Sequence, residues 1–171
     1  AGLIDAVVFS GGEPTIDPAL ARAIEEVRTL GLGVGLHSAG THPRRLREVL
    51  PLVDWVGLDV KAPPDRPRLH ERVTGMRGSA APAHESLRAV LDSGVAYELR
   101  TTAHPALLDD GDLLELAESL AAQGATHYAL QVFRPVGCTS GSLAAVGEDY
   151  PRAETLARLQ HLFPHFVLRR P

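Results

Sequence analysis

Apolar residues along this chain alternate between short continuous runs and helically spaced stripes, and the alternation persists to the end. Leu3 to Ser10 is a continuous run carrying Val7, Val8 and Phe9, the pattern of a buried parallel strand. From about Pro18 to Leu30 the apolar positions shift to Leu20, Ile24, Val27 and Leu30. That spacing predicts a helix with Asp17 as N-cap, Pro18 in its first turn and Gly31 as its stop. Leu32 to Ser38 reads as a second strand. Pro43 to Leu50 reads as a helix turned inward on Leu46, Val49 and Leu50, and Trp55 to Val60 as a third strand. A polar insertion from about Asp65 to Ala81 holds one helical turn, Arg68 to Val73, closed by Thr74 and Gly75.

The second half repeats the rhythm. A helix over Ala83 to Ser93 stops at Gly94, and a strand from Val95 to Ala103 follows. Behind Asp109, a helix of about Asp112 to Gln123 turns Leu113, Leu116, Ala117 and Leu120 to one face and ends at Gly124. Strand His127 to Phe133 leads into a Gly- and Ser-rich loop, Pro135 to Asp149, then helix Arg152 to Leu162 and strand His165 to Leu168. Such alternation predicts an α/β fold with parallel strands and right-handed crossovers. Polar residues at the carboxyl ends of five strands point to an open or partial (βα) barrel, and a doubly wound sheet satisfies the same pattern. The whole of residues 1–171 is expected to form one domain. Only Ala1 and Gly2 precede the first run, so the expectation is a truncated core lacking an earlier strand.

Composition narrows the classes. A net charge of −4 without a Lys/Arg stripe argues against a nucleic-acid surface. No apolar run reaches the roughly 18–20 residues of a membrane span, so no membrane partner is expected. The single cysteine, Cys138, excludes an intramolecular disulfide and fits a reducing cytoplasm.

The candidate chemistry lies at the strand ends. Strand one closes on Ser10, Gly11, Gly12 and Glu13, and strand two on His37, Ser38, Ala39 and Gly40. Asp59 and Lys61, two apart, end strand three. Glu98, Arg100 and Thr102 share one face of strand four, while Gln131, Phe133 and Arg134 close strand five. Gathered in a barrel, these tips would suit a ligand bearing an ammonium, a carboxylate and a sugar. The plainer reading of Asp59 and Lys61 is a rim salt bridge, and of His37 and His104, rim histidines with satisfied hydrogen bonds.

Gly11-Gly12-Glu13-Pro14 after a strand, Leu58-Asp59-Val60-Lys61 on a later one, and Arg100 ahead of Pro105 together resemble the radical S-adenosylmethionine (SAM) enzymes. The resemblance covers about Leu3 to Gly137. It is nearest to the glycyl-radical activating branch: the activating enzymes of pyruvate formate-lyase and of anaerobic ribonucleoside-triphosphate reductase. It implies that the main chain of Gly11, Gly12 and Glu13 receives the methionyl ammonium of SAM. Ser38 and Gly40 then match the second-strand motif, and Asp59 and Lys61 the pair near the SAM carboxylate and ribose. Arg100 matches an arginine of the SAM or substrate region, and Arg134 a position near the ribose. No catalytic residue and no metal ligand is assigned within this chain.

Two departures follow. His37 stands where an Asp is common. The family's Cys-x3-Cys-x2-Cys motif is absent, and three thiolates are needed to hold a 4Fe–4S cluster with one iron open for SAM. The cluster ligands are therefore expected upstream, and the chain alone is expected to be inactive. The implied reaction delivers one electron, from a donor such as flavodoxin or ferredoxin, to the SAM sulfonium. The resulting 5′-deoxyadenosyl radical would abstract hydrogen from a glycine of a partner, expected to be anaerobic ribonucleotide reductase. The alternatives are a radical SAM enzyme acting on a small molecule or peptide, and a cluster-free SAM-fold binding module.

Overall fold

The computed structural model describes residues 4–135 and 143–171. Its strands are β1 (Ala6–Phe9), β2 (Gly33–Ser38), β3 (Trp55–Asp59), β4 (Ala96–Ala103), β5 (His127–Val132) and β6 (His165–Arg169). Its helices are α1 (Leu20–Thr29), α2 (Pro43–Val49), α3 (Pro67–Thr74), α4 (Ala80–Ser93), α5 (Asp110–Ala122) and α6 (Ala153–Leu162). The strands follow one another in sequence order in a six-stranded sheet. The alternation read from the sequence is thus present throughout. The expected start at Leu3, Cys138 and much of the Pro135–Asp149 loop lie outside the described residues.

Contacts divide the chain into two compact units, residues 1–60 with 81–98 and residues 61–80 with 99–171. In the first, β1, β2 and β3 pair in parallel, with Phe9 against Leu36 and Ser38 against Leu58. Val34, Leu36, Val56 and Leu58 are buried, as are Leu20 and Ile24 of α1, Leu46 and Val49 of α2, and Leu87 and Val90 of α4. β1 is half covered, with Val8 47% exposed, because it ends the strand order among the described residues. One expectation changes here. Leu30 was expected inward but is 73% exposed: α1 stops at Thr29, and Leu30 swings out where Gly31 reverses the chain at φ +75°.

In the second unit, β4, β5 and β6 pair in parallel, from Leu99 against Tyr128 and His127 against His165. Leu113, Leu116, Ala117 and Leu120 of α5 are fully buried, as their stripe predicts. Asp109 and Asp112 cap α5 reciprocally, the Asp112 N–H donating to Asp109 Oδ1 at 2.8 Å and the Asp109 N–H to Asp112 Oδ2 at 3.2 Å. The segment entering α6 is tied to the one entering α5. The Tyr150 hydroxyl donates to the Leu108 carbonyl at 2.6 Å, and Asp110 Oδ1 accepts the Arg152 N–H at 2.9 Å and the Thr155 hydroxyl. Among the described residues no helix is long and apolar enough to cross a membrane.

Candidate functional site

Gly11 and Gly12 take φ of +94° and +54° as the chain leaves β1, a conformation that side chains with a Cβ rarely adopt. A Cβ built on either would meet nothing within 4 Å, so the space over this turn is open. The cleft it borders has a volume of about 370 Å³ and is lined by Phe9 to Pro14 with Ile16, Asp17 and Ala23.

Glu13 fixes the shape of this turn. Its Oε1 accepts from the Thr15 N–H (3.2 Å), the Thr15 hydroxyl (2.7 Å) and the Ser38 hydroxyl (2.9 Å), while Oε2 accepts from the Ala39 N–H at 2.7 Å. Thr15 is thereby capped in a short 3-10 turn, Pro14–Ile16, that the sequence pattern did not predict. The expected helix start moves with it. Asp17 closes the 3-10 turn and accepts the Ala19 N–H at 2.8 Å, so α1 begins at Leu20 instead of Pro18.

Ser38 is buried, and its hydroxyl also accepts the Gly40 N–H at 3.0 Å. Gly40, at φ +69°, sits so close to α4 that a Cβ would come within 3.0 Å of the Ser86 Cβ. The buried Ser86 hydroxyl donates to the Gly40 carbonyl at 2.8 Å, seating the end of β2 on α4. His37 lies 3.2 Å from Ser10 Oγ through Nδ1 and rests edge-on against Trp55, centroids 5.5 Å apart.

Glu13 and Ser38 are therefore joined in one hydrogen-bonded group, with Gly11 and Gly12 in the turn that leads into Glu13. Each of the other assigned residues is placed by its own element. Asp59 is the half-buried last residue of β3, and Lys61 follows two residues on, past the strand. Arg100 lies on the half-exposed face of β4, whose alternate residues Leu99, Thr101 and Ala103 are buried, as the expected shared face of Arg100 and Thr102 requires. Thr102 meets Gln131 across the β4–β5 ladder at 3.4 Å. Arg134 is exposed just beyond β5.

His104 is a satisfied rim histidine. Its Nδ1 accepts the Ala106 N–H at 3.1 Å, which leaves Nε2 as the protonated nitrogen facing the Ala144 carbonyl at 3.1 Å. Sequence reasoning missed the neighbourhood of Lys61. There His70 is buried, and its Nδ1 lies 2.9 Å from the Ser79 hydroxyl, which is 2.9 Å from that of Thr74. Burial, then the Lys61 ammonium, hold the His70 imidazole below its ordinary value, against a smaller opposite effect of Glu71. His70 offered no spacing rule to find it by. A second cleft, about 510 Å³, is lined by Arg47, Glu85, Arg88 and Asp92. Its charges offset one another, Arg47 and Glu85 lying 3.5 Å apart, and it holds no residue assigned from sequence.

Comparison with known proteins gives the following. The family model of the radical SAM superfamily matches residues 1–120. A protein of Methanocaldococcus jannaschii that carries the provisional name glycyl-radical enzyme activating enzyme MJ1227 is 29% identical over 138 residues, 77% of this chain. The chain spans 55% of that relative's length. Among solved structures, a domain of pyruvate-formate lyase-activating enzyme from Bacteroides vulgatus aligns with a TM-score of 0.71 at 15% identity, covering 95% of this chain and 98% of that one. Streptococcus suis SuiB bound to S-adenosylmethionine aligns at 0.63 and 14% identity, over 97% of this chain and 38% of that one. At such identities the structural likeness is one of fold: the parallel α/β, partial-barrel class expected from the sequence.

Proposed function

This chain belongs to the radical SAM superfamily, whose members use S-adenosylmethionine and a 4Fe–4S cluster, and we propose that it is the SAM-binding part of a glycyl-radical enzyme activating enzyme. The supporting observation is the turn at Gly11 and Gly12, bent at positive φ, open above and braced by Glu13. Backbone at such a turn can meet the amino-acid end of SAM without a side chain intervening. Glu13 spends its carboxylate on the protein and offers the ligand main chain only. The resemblance gives further contacts to Ser38, Asp59, Lys61, Arg100 and Arg134. Of these, Ser38 would act through the loop it bonds.

The cluster does not fit the residues of this chain, since one cysteine cannot supply three thiolates. SAM, when bound, supplies radical chemistry of the oxidoreductase kind; these residues bind it, orient it and shield it from water. The inferred partner is a glycyl-radical enzyme, namely anaerobic ribonucleotide reductase, with a flavodoxin or ferredoxin as electron donor in the cytoplasm. The relative's name supports the activating role, and the choice of reductase rests on the sequence resemblance alone.

Equilibrium dialysis of the chain against SAM tests the binding claim. Gly12→Ala places a methyl in the open space at a φ that costs about 1–2 kcal/mol for an L-residue. It is expected to weaken SAM binding about tenfold or more while circular dichroism stays native. Equal affinity in the variant would remove the turn from the site. Partner choice is read by electron paramagnetic resonance of candidate glycyl-radical enzymes after anaerobic incubation with a cluster-loaded activase in which this chain is joined to a segment bearing the three cluster cysteines. A glycyl doublet in pyruvate formate-lyase but not in the reductase would reassign the partner.

A further inference from the structure

At the amino ends of β5 and β6 the structure pairs two histidines that no sequence spacing connects. His127 and His165 are register partners, both exposed, with imidazole centroids 4.1 Å apart and ring planes 20° from parallel. Thr126 supports both. Its Oγ1 lies 2.9 Å from His127 Nδ1, and its carbonyl accepts the His165 N–H at 3.1 Å. A hydroxyl on one ring nitrogen is the kind of outer contact that orients a metal-ligating histidine and settles which nitrogen keeps its lone pair. Neighbouring strands hold the two side chains about 4.8 Å apart at the backbone, so modest ring rotations bring one nitrogen of each toward a shared ion.

We propose that His127 and His165 form a two-imidazole chelate for a divalent transition metal of the Zn²⁺, Ni²⁺, Cu²⁺ group. Imidazole selects these ions over Mg²⁺ and Ca²⁺, which prefer oxygen. No cluster of three or more His, Cys, Asp or Glu suited to a metal occurs among the described residues. The chelate is accordingly bidentate, water completes the coordination, and affinity falls below that of a closed four-ligand site. Binding would pin β6 to β5. The pair is separate from the residue assigned to SAM on this strand, because Arg134 is seven positions along from His127, about 20 Å of extended chain.

The test uses the tag-free chain, Ni²⁺ and Cu²⁺, and isothermal titration calorimetry. One ion per chain is expected, with a rise in melting temperature. His127→Ala and His165→Ala should each weaken binding about tenfold or more, and Thr126→Val about tenfold through loss of the orienting hydroxyl. His42→Ala is the control, since His42 Nδ1 meets Thr41 Oγ1 at 2.8 Å in the same Thr-His sequence outside the stack. Cu²⁺ paramagnetic resonance should show coupling to two nitrogens, falling to one in His165→Gln. Unchanged affinity in the His127 and His165 variants, or a site that vanishes with His42 or Cys138, would overturn the proposal.

Discussion

Glu13 accepts four hydrogen bonds from Thr15, Ser38 and Ala39, and glutamine in its place has one acceptor oxygen where the carboxylate has two. With the amide nitrogen turned to Ala39, two N–H groups face each other. Glu13→Gln is therefore expected to cost about 1–3 kcal/mol of stability, read from urea denaturation, and to weaken SAM binding through the loop. Unchanged stability would mean that the turn stands without this brace. The motif that names the family was legible as residues, but the work of its acid was not. Glutamate is not a preferred cap, and its partners Ser38 and Ala39 lie 25 and 26 positions away, beyond any local rule.

The helix α3 and the loop after it carry a titration of their own. His70 is held neutral by burial and by the Lys61 charge, so the unfolded chain binds a proton more readily than the native one. With the folded value lowered, the stability contribution is complete above the ordinary value near 6.5 and is lost as pH falls below it. Denaturant midpoints measured downward from pH 7 should decline below about pH 6.5, and His70→Asn should flatten that decline. A decline of the same slope in the variant would place the proton elsewhere. Element existence was readable from periodicity and stop signals, including this short helix with its close at Gly75. Ends were less so. A 3-10 turn displaced the start of α1, and Leu30 left the stripe because a helix cap obeys the reversal at Gly31 more than the pattern behind it.

At the scale of the molecule, β1 ends the strand order with Val8 and Ile4 exposed at 47% and 57%. An outer strand with exposed apolar side chains favours pairing between copies. Concentration-dependent association is expected in sedimentation velocity, and Val8→Lys should suppress it. A monomer at every concentration would refute the expectation. The run Val7-Val8-Phe9 was legible as a strand from its apolarity, whereas how much of it is covered is a matter of strand order. The stacked His127 and His165 escaped for a related reason: their meeting is a matter of register between strands 38 residues apart. The tether at Asp110 reaches further still, binding Arg152 and Thr155 across 42 and 45 residues. A protease that severed the exposed peptide bond between Gly147 and Glu148 would thus leave two pieces still clasped, travelling as one body in a native gel and parting only in denaturant.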